Sequence, residues 1–165
     1  MSWDAISSNR HNLNISLLQS FLSGTPYEGT QSIDTTPYAP DSEALGYAND
    51  PWYMTYYFSG RGAFRTDNVS RTDLAINYSF FINIGGGQLE AFIQPEVINI
   101  FNENAVMAVN ASVNGPRQGM EAFDPFTETP VEGVNWEYGS SFGEAQGAAD
   151  YQLPRTFRLS FGLRF

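Results

Sequence analysis

An all-β protein built from antiparallel strands is what this sequence predicts, on three observations. Apolar and polar residues alternate with a period of two along several separate runs. Helical periodicity is nearly absent, and its best candidates, 103–110 and 144–149, are short and interrupted or flanked by Asn and Gly. Between two of the alternating runs stands Gly85-Gly86-Gly87, where a turn meets no steric barrier to positive φ.

The elements are taken in chain order. A strand at about 12–22 sets Leu13, Ile15, Leu17 and Phe21 against Asn12, Asn14, Ser16 and Ser20. An extended piece at 51–60 sets Trp52, Met54, Tyr56 and Phe58 against Tyr53, Thr55, Tyr57 and Ser59. A strand at 70–83 places Leu74, Ile76, Tyr78, Phe80 and Ile82 on one face, with only Phe81 out of phase. Its hairpin partner at 88–101 continues with Leu89, Ala91 and Ile93. At Pro95 the pattern slips toward Ile98 and Ile100, so a bulge is expected there. The run 154–165 alternates Phe157, Leu159, Phe161, Leu163 and Phe165 with Arg158, Ser160, Gly162 and Arg164. In a chain with 42% apolar residues, chance would put that pattern on those nine positions on the order of once in 700. Two long stretches, 23–51 and 103–153, are rich in Gly, Pro, Asn and acid and read as long irregular loops. Connections of that length suit a scaffold whose strands are anchored elsewhere.

Composition narrows the function classes. The 165 residues carry 18 acidic side chains, 8 Arg, no Lys, one His and no Cys, a net charge of −10. Charged residues reach only 16%, against about 25% in an ordinary soluble domain. The 15% aromatic content speaks against disorder, and eight scattered Arg form no basic stripe for nucleic acid. Without Cys, a disulfide framework and a Cys-based zinc site are excluded. No apolar run has the length of a membrane helix, and Met1-Ser2-Trp3-Asp4-Ala5 does not resemble a secretory signal.

Two architectures fit the alternation equally. Runs of nine to eleven residues match transmembrane strands tilted near 45°, and Asn, Ser, Gly, Gln and Arg suit the wet side of a barrel wall. A soluble antiparallel sandwich would give the same pattern with its apolar faces packed inward. On the barrel reading the short Gly85–Gly87 turn is periplasmic and both long acidic stretches lie outside, with 51–60 an extension within an outer loop.

Catalytic signals are weak. Gly139-Ser140-Ser141-Phe142-Gly143 matches G-x-S-x-G, yet Glu144-Ala145-Gln146-Gly147 after it is a poor helix former and the only base, His11, is far away in sequence. No enzyme activity, cofactor or metal is expected, and the loop acids read as a solvated surface rather than a calcium site. Glu90, Glu96, Arg158 and Arg164 share the polar parity and are expected to face the lumen, paired with one another or with a plug.

The runs Arg71-Thr72-Asp73-Leu74, Leu89-Glu90-Ala91-Phe92, Val97-Ile98-Asn99-Ile100-Phe101-Asn102 and Pro154-Arg155-Thr156-Phe157-Arg158-Leu159, with the terminal Phe165, carry a resemblance. In that order they resemble the C-terminal part of TonB-dependent outer-membrane receptors, in particular the large Oar-like receptors that carry a carboxypeptidase-regulatory-like domain. Ser23-Gly24-Thr25-Pro26-Tyr27 is similar to a segment in the same region, so the likeness covers most of residues 10–165. It implies a barrel of about 22 strands closed by a plug, importing ligands with energy relayed by the TonB complex of the inner membrane. It also implies that Phe157, Leu159, Phe161, Leu163 and Phe165 form the signal read by the barrel-assembly machinery. The implied location is the outer membrane of a Gram-negative bacterium. Implied partners are outer-membrane lipid, that machinery, the remainder of the receptor with its plug and other strands, and TonB through a missing N-terminal part. Four or five strands cannot close a barrel, whose smallest single-chain form has about eight. The chain is therefore expected to be the C-terminal segment of a larger receptor (a truncated gene, a partial open reading frame or an excised fragment, with Met1 either a start or an internal residue) and inactive alone. The alternative is a soluble all-β module that holds a ligand such as a glycan with its aromatic-rich loops.

Overall fold

The structure, a computed structural model, describes residues 1–39, 46, 48 and 52–165. Pro51, the first residue of the expected extended piece, and part of the stretch 23–51 lie outside the described residues. The elements are β1 (Ser2–Ser7), β2 (His11–Leu22), β3 (Pro26–Tyr27), β4 (Thr30–Asp34), β5 (Tyr53–Tyr57), β6 (Phe64–Arg65), β7 (Val69–Ile84), β8 (Gly87–Ile98), β9 (Val113–Asn114), β10 (Glu137–Tyr138) and β11 (Thr156–Arg164). Two single-turn 3-10 helices, Pro116–Gln118 and Ala148–Asp150, are the only helical pieces among the described residues. The protein is thus all-β, and every strand pair is antiparallel.

The chain divides into two compact units. Unit one, Met1–Ser23 with Asp67–Met107 and Tyr151–Phe165, holds one five-stranded sheet in the order β1-β2-β7-β8-β11. Period two decides its register. Leu17, Leu74, Val97 and Phe157 form one cross-strand row, and Leu13, Tyr78, Ile93 and Phe161 form another. The sheet is open, with β1 and β11 as edges, and closes no barrel among the described residues.

Short turns connect neighbours at one end. Gly85 and Gly86 have φ of 59° and 88°, the positive values that a two-residue type I′ hairpin turn requires at both central positions. At the β1–β2 turn, the Ser8 hydroxyl accepts the His11 amide at 2.9 Å. Both long excursions leave β2 and β8 and return at the opposite end, where Asp67 and Val106 exchange a backbone bond of 3.1 Å and a side-chain bond of 2.9 Å.

Three expectations need correction here. The bulge at Pro95 is absent, because the register of β8 is the same on both sides of it against β7 and against β11. Instead the β7–β8 ladder skips the positions opposite Gln94 and Pro95, as a residue without an N–H dictates. The strand expected to reach residue 101 ends at Ile98, since Asn99 and Asn102 adopt φ of 55° and 54°, a conformation Asn tolerates and a strand does not. Edge strand β1 is not expected from the alternation, its period broken by an irregularity between Asp4 and Ile6.

Unit two, Gly24–Thr66 with Ala108–Asp150, corrects the expectation of long irregular loops. The two stretches share a core. β4 pairs with β5, β3 with β6 and β9 with β10, and Thr30 bridges to Ser112. Ile33, Ala39, Val113, Phe123 and Trp136 are buried. Around them aromatic rings pack edge to face, with Tyr56 to Phe123 at 5.3 Å and Phe64 to Phe142 at 5.2 Å between centroids. Each stretch alone lacks a partner face, and pairing residues far apart in sequence supplies one.

Candidate functional site, a two-faced sheet with an open terminal strand

The two faces of the sheet differ in chemistry. Asp4, Asn14, Asn77, Glu90 and Arg164, one from each strand, line a hollow of about 600 Å³ on the polar face. The polar groups satisfy one another. Asn14 Nδ2 donates to Asp4 Oδ1 at 2.7 Å and to Ser2 Oγ at 2.9 Å, and Ser16 Oγ donates to Asn14 Oδ1 at 3.0 Å.

The expected charges meet as cross-strand pairs. Arg158 stands opposite Glu96 at 3.6 Å, and Arg164 opposite Glu90 at 3.4 Å. Both pairs are partly exposed, so each contributes about 0–1 kcal/mol in water. Between them lies an arrangement that the alternation alone does not indicate. Phe92, out of phase with the apolar run, lies across Gly162, whose missing Cβ would sit 2.8 Å from the ring. The Arg164 guanidinium covers the same ring at 4.6 Å. A glycine between two arginines on an otherwise regular strand is the signal for it in the sequence.

At the long-connection end a buried asparagine ties three segments. Asn99 is fully buried, its Nδ2 donates to the carbonyls of Glu103 and Leu153 at 2.8 and 2.9 Å, and its backbone N–H donates to Asp73 at 2.9 Å. Asn102 Oδ1 accepts the Arg155 amide at 3.0 Å. The two asparagines therefore join the end of β8 to the entry of β11.

The opposite face is apolar and uncovered. On β11, Phe157, Leu159, Phe161 and Leu163 are between 56% and 79% exposed, and Phe165 beyond its end is fully open. Trp3, Leu17, Ile82 and Ile93 on the same face are also exposed. Phe165 stands with Ile84 and Leu89 at an apolar hollow of about 310 Å³ near the Gly85–Gly86 turn.

The other flagged residues come to little chemically. Ser141 sits in a turn that leads into further turn and bend, and its hydroxyl accepts Asn110 Nδ2 at 2.9 Å. His11 Nδ1 pairs with the Tyr78 hydroxyl at 2.9 Å in unit one. Among the described residues no three His, Cys, Asp or Glu side chains cluster as metal ligands. No family model, curated protein or solved structure matches the chain.

Proposed function

We propose that unit one is a length of transmembrane β-barrel wall from a TonB-dependent outer-membrane receptor of the Oar-like kind, and that unit two is folded from its extracellular connections. One observation carries the reading: the sheet gathers its polar side chains on one face and leaves the apolar row of β11 on the other face bare. A soluble sandwich would need a second layer on that apolar face, whereas the side chains of the β11 row from Phe157 to Leu163 are 56% to 79% exposed. Burying exposed apolar surface yields about 25 cal/mol per Å², so a row of five large side chains on the terminal strand alone favours an apolar solvent by several kcal/mol. The apolar row from Leu74 to Ile82 covers eight residue steps, roughly 26 Å along the strand and about 19 Å along the membrane normal at a 45° tilt, most of the apolar band of about 25 Å on such barrels. Lumenal polar pairs, tight turns at one end and long connections at the other fit the same plan. In this role the chain is barrel wall and outer surface for energy-coupled uptake, with the plug, the remaining strands and TonB completing the transporter.

Reconstitution tests it. With Trp52 and Trp136 replaced by Phe, Trp3 on the apolar face should be quenched by lipids brominated along the acyl chain when the full chain is refolded with vesicles. A chain that stays monodisperse in buffer without detergent and leaves Trp3 unquenched overturns the reading.

A further inference from the structure

We propose that the outward face of the β4–β5 pair in unit two is a binding strip for a neutral oligosaccharide. The proposal does not depend on the membrane reading of unit one.

The strip is set by register. Asp34 stands opposite Tyr53, Ser32 opposite Thr55 and Thr30 opposite Tyr57. The alternate residues turn the other way, where Ile33 is buried and Tyr56 packs on Phe58 and Phe123 at 4.9 and 5.3 Å. Tyr53 and Tyr57 have no part in those ring contacts and are 57% and 55% exposed. Four residues apart on one strand, they stand about 13 Å from each other, the reach of a short run of pyranose rings. The Arg117 guanidinium lies 4.8 Å from the Tyr53 ring centre, which fixes the ring while leaving more than half of its residue open. Beside the strip, Ser32, Asp34 and Arg117 rim a hollow of about 220 Å³ whose lining includes Ile33 and Phe123.

The chemistry matches a sugar. A pyranose presents a C–H face that stacks on tyrosine rings, and tyrosine offers broad amphipathic area with few rotatable bonds to order. Its hydroxyls both donate and accept. The strip answers with an acceptor in Asp34, a donor in Arg117 and hydroxyls of both kinds in Ser32 and Thr55. The Thr36 amide donates to Asp34 at 3.0 Å, and hydrogen bonds from Thr36 hold its carboxyl below the usual carboxylate range, so it accepts at neutral pH. Charge selects the kind of glycan. Unit two carries twelve acidic residues against three Arg, a balance of −9, which repels phosphates and acidic polysaccharides and leaves neutral ones. An extended peptide would take a strand edge through its backbone, whereas this is a face that offers side chains.

Calorimetry on the full chain with cellohexaose, maltohexaose, laminarihexaose and mannohexaose tests it. At least one should bind, and Tyr53→Ala and Tyr57→Ala should each weaken it about tenfold. Tyr151→Ala, on unit one, should leave binding unchanged. Near-ultraviolet circular dichroism from the Trp136 core reports that the variants remain folded. Binding of none of the four hexaoses overturns the proposal, as does equal binding by the Tyr53→Ala/Tyr57→Ala double variant. Tighter binding of tetra-alanine or polygalacturonate to the strip would also overturn the assignment to a neutral glycan.

Discussion

Unit two draws Tyr56, Phe58, Phe123 and Trp136 into a shared core and carries a charge of −9, while unit one carries six acids against five Arg and leaves the apolar row of β11 bare. Both are made of antiparallel pairings from the same aromatic-rich chain, long in unit one and short in unit two. They differ in where the apolar side chains go. In unit two alternate residues of β4 and β5 enter a core and the outward ones meet water, so acid is abundant on the surface. In unit one polar residues of all five strands line an open hollow on one face, and the apolar rows lie on the other. Charged residues are sparse in both units, 11 of 79 in unit one and 15 of 86 in unit two; what differs is the balance, which is nearly even in unit one and strongly acidic in unit two.

The sharpest break would come from the cores. Phe123→Ala removes a ring that is 3% exposed and should destabilise unit two by about 3–5 kcal/mol, read as loss of the near-ultraviolet signal in plain buffer. Leu159→Arg should act in the other direction. It changes a side chain already 62% exposed, so in water it should cost little, whereas at the middle of a bilayer it should cost about 2–4 kcal/mol. Measuring both variants in buffer and in lipid gives four numbers. If Leu159→Arg costs the same in both, the apolar face of unit one has no special solvent.

Asn99 tests the joint between β8 and β11 within unit one. Asn99→Ala loses the bonds to Glu103 and Leu153 and keeps a residue at φ 55°, for a cost of about 2–4 kcal/mol. Asn99→Gly loses the same bonds but relieves the backbone and should be milder by about 1 kcal/mol. Equal costs, measured by denaturant midpoint in detergent, would remove the backbone contribution from the explanation.

Legibility in the sequence divides along the same line. The strands of unit one other than β1 are readable because each apolar row repeats every second residue, and Glu90, Glu96, Arg158 and Arg164 can be placed by parity alone. Phe81 and Phe92 break that parity, and for Phe92 the reason is visible only in space: the polar face accommodates its ring over Gly162, a residue on another strand. The end of β8 is misleading in sequence because Ile98 and Ile100 look like continuing alternation, while the left-handed turn at Asn99 is held by partners as distant as Leu153. Unit two is illegible for a simpler cause. Its strands β3, β6, β9 and β10 are two residues long, too short to show a period, and its core joins stretches separated by more than forty residues. Only β5 announces itself, through the alternation of Met54 and Tyr56 with Tyr53, Thr55 and Tyr57.

The smallest expected effect lies in the acid-rich turns of unit two and separates structural acids from solvated ones. Asp124 accepts the Thr127 hydroxyl at 2.7 Å and the Phe126 amide at 2.9 Å, and these bonds hold its carboxyl below the usual range. Because the folded value lies below the unfolded one, the contribution of this turn is complete above the unfolded value and fades as pH falls through the folded one. Removing the Thr127 hydroxyl, the larger of the two causes, with Thr127→Val should raise the Asp124 carboxyl toward its ordinary value in a titration monitored by nuclear magnetic resonance. The acid-induced loosening of the turn should then begin at higher pH. An unchanged titration would mean that the backbone amides of Phe126 and Thr127 set the carboxylate, and that this turn is held by backbone geometry rather than by its hydroxyl side chain.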